Sequence, residues 1–98
     1  MKLVKTLNQH KLTIAIEGRL DTSTAPELDA CLQESLADAT ELVLDFAALD
    51  YISSAGLRIL LKTQKQMSAK GTMKLIHVND DIRDVFDITG FLDILTIE

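Results

Sequence analysis

Between Lys11 and Ile16 apolar and polar positions alternate, with Leu12, Ile14 and Ile16 on one side and Lys11, Thr13 and Ala15 on the other. A period of two is what a strand with one buried face requires. A second stretch, Val4 to Leu7, precedes it, and Asn8 and Gln9 between the two suit a turn, so the chain is predicted to open on a β-hairpin. Gly18 to Ser23 breaks the alternation. Thr24-Ala25-Pro26-Glu27 has the form of a capping box with Pro in the first turn, and Leu28, Cys31, Leu32, Ser35 and Leu36 then recur at helical spacing. A helix is predicted from about Ala25 to Asp38, with Thr24 accepting from a backbone N–H and Glu27 reaching back.

Leu42-Val43-Leu44 with Phe46 is too short for a helix and suits a central strand buried on both faces. Ser53 or Ser54 can cap a second helix, with Leu57, Leu60, Leu61, Gln64 and Met67 near one face and Gly71 as its stop. Met73 to Val78 is predicted as a strand. Asn79 or Asp80 starts a third helix carrying Ile82, Val85 and Phe86, which Gly90 ends, and Ile94, Leu95 and Ile97 form a last strand or packed tail. The order is β-β-α-β-α-β-α-β. Strands separated by helices pair in parallel through right-handed crossovers. The expected fold is therefore α/β: a mixed, mostly parallel sheet with an antiparallel edge hairpin and alternating helices. Sites in such folds gather at the carboxyl ends of the parallel strands, which here singles out the loops Gly18–Thr24 and Phe46–Ser54.

Composition narrows the function. A chain of 98 residues, 47% of them apolar, fits one compact domain spanning 1–98. Its formal net charge of −5 and scattered Lys and Arg exclude a nucleic-acid backbone as the main partner. No apolar run approaches the ~20 residues that cross a bilayer, so no membrane partner is expected. Met1 to Thr6 lack the apolar core of a secretory signal, and the lone Cys31, set among Leu28, Leu32 and Leu36, is expected to be a small buried hydrophobe. A reducing, cytoplasmic setting follows as the expectation. No Cys/His pair has zinc-ligand spacing, so neither metal nor cofactor is expected. His10 and His77 are expected to be structural, in a turn and a strand, and Asp45 to hold loop amides at its strand end.

The most specific feature is Leu49-Asp50-Tyr51-Ile52-Ser53-Ser54-Ala55-Gly56-Leu57, two serines at a helix start. A hydroxyl there either caps the helix or carries a phosphate that the free N–H groups stabilise. A nucleophile elbow is excluded because Ile52 stands where Gly-x-Ser-x-Gly needs its first glycine, so catalysis is not expected. The segment resembles the signature of the STAS family, named for sulfate transporters and anti-sigma factor antagonists. The preceding Leu42-Val43-Leu44-Asp45-Phe46, the Gly18-Arg19-Leu20-Asp21 element and the closing Val85-Phe86-Asp87-Ile88-Thr89-Gly90-Phe91 are similar to that family in the same order.

The resemblance implies an anti-sigma factor antagonist with Ser54 as its phosphorylated residue. Ser53 stands where the family motif has Asp, and Ala55 where it has a second hydroxyl. It implies an anti-sigma factor that is also a serine kinase as partner, and a metal-dependent serine phosphatase that resets the switch. Asp21, Thr22, Ser53, Ser54, Gly56 and Leu57 are the expected partner-binding residues, with Asp21 bordering the phosphosite and both Asp21 and Leu57 free of any large role in the fold. On the plainer reading Asp21 only caps the turn before the first helix and Gly56 serves close helix packing. A monomer is expected. The alternative is a STAS interaction module in another phospho-switch or a transporter-associated complex.

Overall fold

The computed structural model describes residues 1–98. Its elements are β1 (Lys2–Asn8), β2 (Lys11–Leu20), α1 (Ala25–Ser35), β3 (Glu41–Asp45), β4 (Leu49–Ile52), α2 (Ser54–Ser68), β5 (Thr72–Ile76) and α3 (Asp80–Thr89). Short 3-10 turns at Leu36–Asp38 and Phe91–Asp93 follow α1 and α3. The main sheet runs β1-β2-β3-β5, with β1 antiparallel to β2 and β2, β3 and β5 mutually parallel. The alternating pattern of β2 thus becomes the hairpin and the parallel core that it predicts.

Register builds the core in rows. Leu12 pairs with Leu42 and Leu42 with Met73, while Ile14 pairs with Leu44 and Leu44 with Leu75. All six are buried, and Leu28 and Leu32 of α1, Leu57, Leu60 and Met67 of α2, and Ile82 and Phe86 of α3 join them in one cluster. Each fully buried Leu or Ile contributes about 1.5–3 kcal/mol, so this cluster carries most of the stability. On the other face Thr13, Ala15, Lys74 and Ile76 are half-buried. Val43 there is buried but stands outside the main cluster.

Several local expectations change. The Phe46–Ser54 stretch is not a loop throughout, because it contains β4, which pairs in parallel with the end of β2. Gly18 faces Leu49 and Arg19 faces Tyr51, so Asp50 is an extra residue in a bulge. That bulge erases the alternation by which a strand is recognised in sequence. For the same reason β2 continues to Leu20, and the first loop shrinks to the turn after it. The strand predicted over Met73–Val78 ends at Ile76, and His77 takes a left-handed backbone with φ 58°. The C-terminal tail makes one parallel bridge, Leu75 with Ile97, rather than a full strand. Cys31 is half-buried against the core instead of enclosed by it. In α2 the buried polar residue is Thr63, whose hydroxyl donates to the Ile59 carbonyl at 2.7 Å, while Gln64 is only half-buried.

Gly71 acts by space rather than by backbone freedom. A Cβ on it would lie 1.8 Å from the Thr40 carbonyl oxygen, where the turn after α2 crosses the start of β3. Gly71→Ala must therefore push backbone from backbone. We expect it to lower unfolding free energy by about 1–3 kcal/mol, seen as a lower urea midpoint at unchanged slope.

Candidate functional site

The carboxyl ends of β2 and β4 carry the two segments that the sequence singles out. Ser53 follows β4 with an extended backbone (φ −100°, ψ 175°), the conformation of a helix N-cap. Its N–H donates to the Leu20 carbonyl at 2.9 Å, and its carbonyl accepts from Leu57 N–H at 3.0 Å. One residue thus ends the β2–β4 pairing and starts α2. The Ser53 hydroxyl takes no part in this: it makes no capping hydrogen bond, and its Oγ is buried without a partner.

Ser54 is the first residue of α2 and is exposed, with its side chain uncommitted. Gly56 lies beneath it against β2 and β4, where a Cβ would come 2.8 Å from Leu20 Cγ and 2.9 Å from Ile52 Cγ1. Close packing is therefore its role. Leu57 is only 8% exposed and belongs to the core cluster. The expectation that it is free of a large role in the fold is corrected: its position one residue past Gly56 turns it inward with Leu60.

Across from Ser53, Asp21 builds its own turn. Its Oδ1 accepts from Ser23 N–H at 3.0 Å and Thr24 N–H at 3.1 Å. Thr24 Oγ1 accepts from Asp21 N–H at 2.8 Å and donates to the Arg19 carbonyl at 2.8 Å. The predicted capping box at Thr24 and Glu27 does not form, since Thr24 already has helical backbone angles and makes no side-chain cap. The Asp21 turn has replaced it, with the Asp21 carbonyl accepting from Ala25 N–H at 2.8 Å. Desolvation raises the Asp21 pKa, but the N–H groups of Thr24 and Ser23, the Thr24 hydroxyl and the Arg19 charge outweigh it, and the carboxyl titrates below its ordinary value. Arg19 stands 3.8 Å from Asp21 and also lies over the Tyr51 ring at 4.1 Å. Neither Arg19 nor Tyr51 had a spacing signal in the sequence; only the β2–β4 register brings them together. Thr22 is exposed at the tip of the turn.

Beside these residues a groove of about 340 Å³ separates α1 from α2, lined by Thr22, Ala25, Pro26, Asp29, Arg58 and Lys62 among others. Lys62 Nζ closes its far side by pairing with Asp29 at 3.1 Å. At the end of β3, Asp45 accepts from Ala47 N–H at 2.9 Å, as expected of it, and also meets His77 Nδ1 at 2.9 Å, a partner that sequence distance hid. His10 contacts the Asp38 carbonyl at 3.1 Å. Neither histidine is thereby placed as a base for Ser54. No set of three or more His, Cys, Asp or Glu converges on a common point for a metal ion.

Comparison with known proteins agrees with the fold. The sequence matches the STAS domain family over residues 2–98. A protein named as an anti-sigma factor antagonist, BtrV of Bordetella bronchiseptica, is 35% identical over 99% of this chain and 85% of its own length. The anti-sigma-B factor antagonist of Bacillus subtilis is 29% identical over 92% of this chain and 84% of its own. The crystal structure of an anti-sigma factor antagonist from Mycobacterium paratuberculosis superposes with a TM-score of 0.88 at 22% identity, covering 98% of this chain and 83% of that one.

Two outcomes are expected of this geometry. Leu57→Ala should cost about 2–5 kcal/mol of stability, whereas Ser53→Ala should be neutral or stabilising, because it removes a buried hydroxyl that has no partner; thermal and urea unfolding compare the two. Asp45, like Asp21, is a pH-sensitive element. Desolvation raises its pKa, but the His77 hydrogen bond, the Ala47 N–H and the His77 charge bring it below the ordinary value. A carboxyl with a depressed folded pKa stabilises fully above its unfolded value, and that contribution is lost as pH falls through the folded one. Carboxyl NMR titration should therefore show the Asp45 pKa rising toward normal in His77→Ala, with the acid limb of stability moved to higher pH.

Proposed function

The chain belongs to the STAS domain family, and from that premise we propose that it is an anti-sigma factor antagonist that switches partners through Ser54. The observation that carries this is the Ser54 side chain: exposed, first in α2 and free of structural work, next to Ser53, whose N–H donates to the carbonyl of Leu20, the residue before Asp21. Such a hydroxyl can accept a phosphoryl group without the fold losing a hydrogen bond. The related proteins named as antagonists support an anti-sigma factor as the partner, and we take that factor to be the serine kinase as well.

Unphosphorylated, the protein binds that kinase and frees a sigma factor. Phosphate on Ser54 adds about −1.5 to −2 charge to a surface that already carries the Asp21 carboxylate. In a desolvated interface that charge repels and loses solvation, so the complex opens. A metal-dependent serine phosphatase returns the protein to its binding form. The protein acts as a substrate and ligand of enzymes rather than as one itself, in the cytoplasm and as a monomer. Asp21, Thr22, Ser53 and Ser54 form the contact surface, and Gly56 and Leu57 hold it from below. No helix is long and apolar enough to cross a membrane.

With the cognate kinase, Ser54→Ala should bind and resist phosphorylation, and Ser54→Asp should bind at least about tenfold more weakly, the equivalent of roughly 1.4 kcal/mol. Phosphopeptide mass spectrometry locates the phosphate, and its presence on Ser53 alone would overturn the assignment. Asp21→Asn keeps an oxygen for the Ser23 and Thr24 N–H groups while removing the charge. It should weaken binding in isothermal titration with little change in melting temperature, whereas Asp21→Ala should also loosen the turn.

A further inference from the structure

Three cations, Arg19 on β2 and Arg58 and Lys62 on α2, lie on the elements that carry the site, and two of them have acidic partners. Arg19 is paired with Asp21, and Lys62 with Asp29 across the groove between α1 and α2. Arg58 also lines that groove, is exposed, and forms no ion pair. It stands four residues after Ser54 on α2. Residues at that spacing lie one above the other on the same helical face, roughly 5–6 Å apart at Cβ. The order matters as well: an anion one turn N-terminal to a cation is the favourable arrangement. Asp29, the nearest acid on α1 that could compete for Arg58, is held by Lys62 and also accepts from Gln33.

We propose that Arg58 is the intramolecular partner of the phosphoryl group on Ser54, so that phosphorylation both adds an anion to the partner-facing surface and withdraws a cation from it. The proposal rests on Ser54 being the modified residue. Before modification the Arg58 guanidinium is unengaged and available to an acidic group on the kinase. After it, two phosphoryl oxygens accept from the planar guanidinium fork, a geometry that lysine cannot reproduce. The side chain then lies back along α2 toward its first turn. One covalent event thus changes the surface twice, and the second change needs no movement of the backbone.

The test uses the full chain carrying phosphoserine at residue 54, installed during synthesis so that no kinase is involved. Phosphorus NMR follows the second ionisation of the phosphate, near pH 6 in an isolated group, in the parent, Arg58→Gln and Arg58→Lys proteins. A paired guanidinium favours the dianion, so the parent should ionise roughly 0.15–0.4 pH units below Arg58→Gln, with Arg58→Lys between them. The Arg58 Nε–H resonance should also move on phosphorylation. Identical ionisation in the parent and Arg58→Gln, with an unmoved Arg58 resonance, would overturn the proposal. That result leaves the assignment of Ser54 untouched, because mass spectrometry after the kinase reaction decides it separately.

Discussion

The structure depends on β2 being longer than any one strand that pairs with it on its inner edge. Its first half, Lys11 to Ala15, holds β3, and its last residues, Gly18 to Leu20, hold β4. The bulge at Asp50 lets the chain make that second pairing in a new register. The Ser53 N–H then reaches the Leu20 carbonyl, and α2 begins where the ladder stops. Gly56 fixes the depth of that helix start against Leu20 and Ile52. Everything at the site inherits its position from this one seam.

Around the seam, structural work and surface chemistry fall on different atoms. Backbone groups of Leu20, Ser53 and Leu57 start the helix, and the Asp21 carboxylate and Thr24 hydroxyl build the opposing turn. The core beneath is closed by Leu57 and Leu60. The side chains left over at the surface are Ser54, Thr22 and Arg58, all exposed. A site assembled this way can vary its chemistry with little effect on the fold.

What the sequence disclosed follows from what leaves a period. β2, β3 and the three helices each bury a face, and Leu12, Ile14, Leu28, Leu32, Leu60 and Phe86 mark those faces in the chain. The helix start at Ser53 and Ser54 was equally legible, because serines before an apolar periodic run have few other uses. β4 was not legible: of its four residues only Leu49 and Ile52 are buried, and the bulge separates them by a spacing that no strand template contains. The inward turn of Leu57, the Asp45–His77 pair and the Arg19–Tyr51 contact depend on register and packing across the chain. Thr24 and Glu27 were misleading, since a capping box and an Asp-centred turn use similar residues and only the backbone angles of Thr24 separate them.

The idle hydroxyl of Ser54 also has a kinetic meaning. A serine that caps its helix must be released before an enzyme can use it, and the rate of modification then carries the free energy of that local opening as a factor. Ser54 lies on the first residue of α2 with no bond to break. On the proposed assignment of Ser54, its modification is set by encounter and by the enzyme's own chemistry. Under that proposal the protein would report a kinase's activity without delay from its own unfolding, and mutations that stabilise its core would leave that response time unchanged.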